Sequence, residues 1–316
     1  MKLREILTLL EDLAQKNGIS NVWIAGGIAR AKAIESVFHT KNEIDVSDLD
    51  ITTGDPTVHN LAKLFVSELS KSYDVSSKLM NDGHTSVYIG DFKVDFSSNF
   101  IDPNIDKLLA ARGIKNPTPL QKEMFSRDFT CNALLLSPDM RKIKDPTKFG
   151  IKDIKAKMIR TCLSPDATFR SNPNRIIRVI YLAAKLGFGV DPSIIKWIVD
   201  NKQVIRASSD SYLTKNLNKA FKANPDIAID LLNKTGLWDL VPITNEILPF
   251  YQKRHKTAQL FMNFDYADSS TGPGVGLYHG DMSKYKSVMD WRKKRRKRRA
   301  KTIKKILNTR PDRVGK

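Results

Sequence analysis

Residues 21–51 read NVWIAGGIARAKAIESVFHTKNEIDVSDLDI. The stretch opens on a short apolar run, Asn21 to Ala25, that reads as a buried strand. It meets Gly26-Gly27, and Ile28 to Phe38 then follows helical spacing. A polar loop leads to Asp45–Ile51, where charged and apolar residues alternate as in a strand. Two glycines between a strand and a helix let the backbone approach a phosphate closely, and the helix N-terminus they open favours negative charge. Arg30 lies one turn on, within reach of the same anion. A Gly-Gly pair is equally an ordinary tight turn. Asp48 and Asp50, two apart on a strand, project from one face. Side by side they repel unless a cation lies between them, and oxygen ligands at that spacing suit Mg²⁺. The alternative is a solvated strand face, against which the apolar neighbours Val46, Leu49 and Ile51 argue.

Working outward, Thr85–Gly90 and Phe92–Phe96 alternate around a Gly90-Asp91 hairpin turn. Asp95, within Lys93-Val94-Asp95-Phe96, supplies a third carboxylate. A triad on neighbouring strands is what two-metal phosphoryl transfer needs. Asn60–Ser70 reads as helix, while Phe129–Leu136 fits either helix or strand. From Pro173 onward strand signals fade. Ile176–Leu186 is an amphipathic helix stopped by Gly187, and Ser193–Asn201, Tyr212–Ala223 and Asp226–Asn233 continue the helical pattern, punctuated by Asn224-Pro225 and Gly236. At the other end, Leu3, Ile6, Leu7, Leu10 and Leu13 form a helical stripe ending at Gly18. The acids Glu5, Glu11 and Asp12 there argue against a signal or transit peptide.

The 316 residues are 41% hydrophobic, which excludes a wholly disordered or fibrous chain. Lys and Arg number 53 against 34 Asp and Glu, for a net charge of +19. Residues 284–316 hold 16 of those cations and two acids, Asp290 and Asp312, a net of +14, so residues 1–283 carry only +5. Arg292, Lys293, Lys294, Arg295, Arg296, Lys297, Arg298 and Arg299 form an unbroken basic run suited to a polyanion, RNA first of all. A solubilising or targeting tail is the plainer alternative. Its apolar stripe is too narrow for a membrane surface, and no apolar run reaches the roughly 18 residues of a spanning helix. Two cysteines, Cys131 and Cys162, make neither a disulfide framework nor a cysteine zinc site, so a reducing, cytoplasmic location is expected.

Four segments in order carry a more specific likeness. They are Gly26-Gly27-x-x-Arg30 with Asp48-x-Asp50; Arg127-Asp128-Phe129-Thr130-Cys131-Asn132-Ala133; Asp145-Pro146 with Phe149-Gly150-Ile151-x-Asp153-Ile154; and Asn172-Pro173-Asn174-Arg175-Ile176-Ile177-Arg178, running to Leu186-Gly187-Phe188. Together they resemble the tRNA nucleotidyltransferase/poly(A) polymerase family, in its bacterial-type (class II) branch and most like its CCA-adding members. The resemblance implies an α+β chain: a nucleotidyltransferase-type mixed-sheet head, an all-helical neck and body, and here a basic tail. The expected bounds are 1–140 for the head, 141–250 for the helical part, 251–283 for a linker and 284–316 for an RNA-binding tail.

The same resemblance implies the roles. Asp48 and Asp50 hold Mg²⁺, two ions being expected, and Asp95 assists. Gly26, Gly27 and Arg30 hold the triphosphate, and Arg127 and Asp128, with Asn132 in the same motif, grip phosphate and ribose. Arg127 and Asp128 also suit a structural ion pair. On the last segment a carboxylate and an arginine, three apart on one helix face, read the incoming base, with Arg178 one turn further on. An acceptor beside a donor matches cytosine and adenine and rejects uracil and guanine. Here the family's Glu-Asp is Ser171-Asn172, so the margin through Arg175 is expected to narrow. Asn before Pro is equally a helix start, as N-cap and N1. Other departures are Ala31, Ser126 and Phe96-Ser97-Ser98-Asn99, where the family has Asp, Arg and a further Arg. The implied activity is addition of C and A from CTP and ATP to tRNA 3′ ends. The alternatives are poly(A) addition, or a catalytically silent RNA-binding relative.

Overall fold

The computed structural model describes residues 2–40, 47–80, 83–97 and 102–251. They fall into two compact units. One holds the chain as far as Arg175 together with Leu186–Trp197; the other holds Ile176–Lys185 and the chain from Ile198 onward.

The first unit is built on a seven-stranded mixed sheet. Its strands are β1 (Trp23–Ala25), β2 (Asp48–Thr52), β3 (Val75–Leu79), β4 (Thr85–Ile89), β5 (Phe92–Phe96), β6 (Leu135–Leu136) and β7 (Ile143–Lys144). Their spatial order is β3-β4-β5-β2-β1-β6-β7. β2 and β5 run parallel, and the other neighbouring pairs are antiparallel. The same unit holds the helices α1 (Leu3–Lys16), before the first strand, α2 (Gly26–Phe38), α3 (Thr57–Leu69), α4 (Ile105–Ala110) and α5 (Pro119–Ser126), between strands, and α6 (Gly150–Lys155) and α7 (Pro165–Ser171), after β7. Leu49, Ile51, Val94 and Phe96 are buried, so the residues alternating with them, Asp48, Asp50, Lys93 and Asp95, share the opposite face of β2 and β5. Phe96 meets Phe65 of α3 with ring centroids 5.5 Å apart. That contact and the leucine stripe of α1, buried at Ile6, Leu7, Leu10 and Leu13, close the apolar side.

The β4–β5 hairpin turns at Gly90-Asp91, as the alternation predicts, with Gly90 at φ +54° and Ile89 opposite Phe92. The strand expected over Asp45–Ile51 is seen from Asp48; residues 45 and 46 lie outside the described residues. Phe129–Leu136 divides into a 3-10 turn at Thr130–Asn132 and then β6. Residue 140, the expected end of the head, falls inside the β6–β7 hairpin, where the Ser137 N–H donates to the Lys142 carbonyl at 2.9 Å. Strand structure also persists past Pro173: β8 (Met158–Ile159) pairs in parallel with β9 (Gly189–Val190).

α8 (Asn174–Leu186) and α9 (Pro192–Asn201) each contribute residues to both units. In the second unit, α10 (Asp210–Ala223) and α11 (Pro225–Thr235) are consecutive helices that pack together and are joined through Asn224. Asn224 Oδ1 accepts the Ile227 N–H at 3.1 Å with Pro225 in the first turn, and Gly236 at φ +63° ends the helix. This is the start-and-stop chemistry read from Asn224-Pro225 and Gly236. Around Trp238 an aromatic cluster gathers Phe221 and Tyr251 at centroid distances of 6.2 and 5.6 Å, with Phe250 5.2 Å from Phe221.

Candidate active site

The site begins with strand register. β2 and β5 are parallel and in step, so Asp48 lies opposite Lys93 and Asp50 opposite Asp95. On its other side Asp50 lies opposite Ala25, the last residue of β1. The chain then turns into α2 through Gly26 at φ +68°, a backbone conformation that glycine adopts without strain. A Cβ at Gly26 would stand 2.1 Å from Asp50 Oδ2. The glycine is therefore required twice, by its backbone angle and by the carboxylate laid against it. The two acids do not share one environment. Asp48 is two-thirds exposed at its side chain, whereas Asp50 is half-buried. Burial lifts the Asp50 pKa to about 6; Arg127 opposes the shift, Asp48 and Asp95 add to it, and Lys93 opposes it.

Asp95 accepts from Ser86 Oγ at 2.6 Å, across the β4–β5 pair, and from Lys93 Nζ. His84 Nε2 lies 3.8 Å from the same carboxyl. Lys93 also reaches Asp48 Oδ1 at 3.3 Å, so one ammonium bridges two strands' carboxylates. Burial pulls the Lys93 pKa down, but the hydrogen bonds and charges of Asp95 and Asp48 lift it above the ordinary lysine value. The ammonium thus remains charged.

Behind Gly26-Gly27, Arg30 is buried and donates to Asn132 Oδ1, while Asn132 Nδ2 donates to Asp128 Oδ1 at 2.9 Å. Asp128 Oδ1 also accepts the Phe129 N–H at 2.8 Å. The glycine segment and the 127–133 segment are therefore stitched together by side chains 102 residues apart. Arg127 is paired with Glu123 Oε1 at 3.0 Å, and the second Glu123 oxygen accepts from Thr52 Oγ1 at 2.5 Å. Arg127 Nε is buried and has no hydrogen-bond partner. A buried guanidinium donor left over, on a residue whose charge is felt by Asp50, suits an anionic ligand.

Asn172 and Arg175 depart from the expected arrangement. They do not lie on one helix face: Asn172 is extended, at φ −147° and ψ 96°, between α7 and α8. Pro173 disfavours the helical region for the residue before it. Asn172 Oδ1 accepts the Asn174 N–H at 3.1 Å, which is helix-start chemistry. Arg175 Nη2 donates to the Ser126 carbonyl at 2.7 Å. Ser126, where the family has arginine, is buried; its Oγ donates to the Lys122 carbonyl at 2.8 Å and accepts the Asp102 N–H at 2.9 Å. Arg178 belongs to the second unit and is half-buried. The run Arg292–Arg299, with most of the expected linker, lies outside the described residues.

Sequence reasoning missed Lys93, Glu123, Thr52 and Ser86. Lys93 carried a readable signal, since it alternates in step with Asp95. Glu123, four before Arg127 on α5, carried a weaker one. Ser86 and Thr52 carried none.

The donor set fits a hard divalent cation. Asp48 and Asp50 offer oxygen ligands on one face with Asp95 abreast, and the ammonium among them shows that the face takes positive charge. Among the described residues, no group of three or more His, Cys, Asp or Glu side chains is arranged to hold a metal ion, so a cation here would rest on the Asp48 and Asp50 pair. No helix of the described residues is long and apolar enough to cross a membrane.

Residues 22–160 match the family model described as the Poly A polymerase head domain. The chain is 28% identical over 77% of its length to tRNA nucleotidyltransferase cca2 of Schizosaccharomyces pombe, covering 53% of that protein. It is 23% identical over 82% of its length to the CCA-adding enzyme of Bacillus licheniformis, covering 62% of it. It thus spans about half to three-fifths of these relatives. Among solved structures, the CCA-adding enzyme of Bacillus stearothermophilus in complex with CTP superposes with a TM-score of 0.57 over 77% of this chain and 55% of its own, at 20% identity. A tRNA nucleotidyltransferase complexed with a primer tRNA and an incoming ATP analog superposes with a TM-score of 0.54 over 81% of this chain and 70% of its own, at 22% identity.

Proposed function

We propose that this chain, a member of the tRNA nucleotidyltransferase/poly(A) polymerase family with its head at residues 22–160, adds C and A residues from CTP and ATP to the 3′ end of tRNA. The observation that carries this reading is the juxtaposition of Asp50 with Gly26 on one side and Asp95 on the other, with Asp48 on the same face. A phosphate lying on the glycine turn would have its scissile bond next to the carboxylates.

Asp48 and Asp50 would hold Mg²⁺, which when bound activates the primer hydroxyl and neutralises charge on the α-phosphate and on the departing pyrophosphate. The chain's own groups do the rest. The N–H groups at Gly26 and Gly27 and the Arg30 guanidinium receive the triphosphate. Arg30 is aimed by Asn132, which Asp128 orients in turn. Arg127, braced by Glu123, offers its buried Nε to the same polyanion. Asp95, fixed by Ser86, faces the primer hydroxyl. Arg175 biases selection toward C and A, less strictly than with a carboxylate beside it, because Asn172 is engaged in the turn into α8. The run Arg292–Arg299 holds the RNA backbone, and two buried free cysteines suit a cytoplasmic setting.

Incubating tRNA that ends before CCA with CTP and ATP, singly and together, tests the reading. One A added only after two C residues is the expected product. Long adenylate tracts from ATP alone would instead identify a poly(A) polymerase, and no pyrophosphate release under any condition would leave a silent RNA-binding relative.

A further inference from the structure

The carboxylate face carries a cation of its own. Lys93 is two residues before Asp95 on β5, directly opposite Asp48 on β2, and its Nζ is hydrogen-bonded to both acids. The side chain is only one-third exposed, and Asp95 only 13%. The groups that face the ammonium are thus Asp48 and Asp95, with Asp50 next in the register. Ser86 and His84 occupy the far side of Asp95. A surface lysine with no task would stay in water, because holding its stem in one geometry costs rotamer entropy. Here the ammonium is placed between two of the three acids, on Asp48 and Asp95.

We propose that Lys93 is a tethered counter-ion: it holds Asp48 and Asp95 together, yields them to the arriving divalent cation, and so sets how tightly the head takes its metal. This rests on the reading of Asp48 and Asp50 as metal ligands. A unit positive charge a few ångströms from a divalent ion opposes binding, the more so at a partly desolvated site. Lys93 is a positioning residue in this scheme, since it acts on the carboxylates and touches no reacting atom. The exchange also requires the ammonium to move off Asp48, which its long, flexible stem allows.

The test is Mn²⁺ binding to the full chain without nucleotide, followed by the electron paramagnetic resonance signal of free Mn²⁺, together with melting temperatures in chelator. Lys93→Met should bind Mn²⁺ about tenfold tighter than the parent chain and melt lower in chelator, with a larger metal-induced rise. Lys93→Arg, which keeps the charge, should restore parental affinity. Lys93→Gln serves in place of the Met variant if that fails to fold. Asp50→Asn reports on the site itself and should lose Mn²⁺. If the parent binds Mn²⁺ and Asp50→Asn does not, yet Lys93→Met binds with equal or weaker affinity, the counter-ion role is overturned while the metal site stands. If neither the parent nor Lys93→Met binds, both readings fall.

Discussion

Asp50 is a half-buried carboxylate, shielded enough from water for its pKa to rise. With its pKa lifted from 3.8 to about 6, the native state retains a proton that the unfolded chain has already lost between those two values. Stability contributed by this group therefore falls as pH rises through that window, and the full cost is present above pH about 6. Asp50→Asn should raise stability at pH 7.5 in chelator by up to about 3 kcal/mol, a gain that shrinks toward nothing near pH 4, while nucleotide addition falls at least about a thousandfold. Chemical denaturation across pH, paired with a pyrophosphate-release assay, checks both halves. Gly26→Ala should be severe for a different reason. The new methyl collides with Asp50 Oδ2 and the residue is held at a positive φ, so a loss of about 2 kcal/mol and of about a hundredfold in kcat/KM is expected. Period two made Asp48 and Asp50 legible as a pair in the sequence, and Asp95 followed from the hairpin. Lys93 was written in the same alternation but reads as an ordinary solvated lysine until β2 is known to be its neighbour. The Arg30–Asn132 link joins residues 102 apart, a distance at which no local pattern operates.

At the level of elements, turns and caps were the most readable features. Gly90-Asp91, Asn224-Pro225 and Gly236 each do locally what their residue types favour. β3 was not readable, because VSSKL is exposed along most of its length and has no apolar face to alternate. α4 and α5 are six and eight residues long, too short to show a stripe. The junction of α7 and α8 is where a functional expectation and a structural one compete. Asn172→Ala should cost about 1 kcal/mol through loss of the turn bond to the Asn174 N–H at the start of α8, measurable by denaturant unfolding. Asn172→Asp keeps the turn bond and restores the family's charge. If the residue also reads the base, this variant should exclude UTP and GTP about tenfold more strictly in side-by-side incorporation; unchanged selectivity would leave the turn into α8 as its only task.

For the whole molecule, the charge distribution makes the clearest forecast. Residues 284–316 carry +14 of the chain's +19. RNA affinity should fall steeply with salt, each phosphate contact to a single strand adding about 0.7 to the log–log slope. Removing residues 284–316 should flatten that slope and weaken binding at low salt without changing which nucleotide is added; fluorescence anisotropy over a salt series measures it. An unchanged slope would assign RNA binding to the remaining chain. The division into two compact units was only partly readable, because α8 and α9 each contribute residues to both. A composition shift marks where strands give way to helices, not where contacts thin out.

The parallel pairing of β2 with β5 has a consequence for synthesis on the ribosome. Parallel neighbours cannot be joined by a tight turn, so Asp95 reaches Asp50 only after α3 and the β3–β4 ribbon have been made, and β1 gains its second neighbour, β6, some forty residues later still. A nascent chain halted at residue 80 would own the glycine turn and two of the acids but no assembled centre. Assembly of the carboxylate face and completion of the sheet therefore arrive together, and on the proposed function a half-translated copy would have no centre with which to extend an RNA.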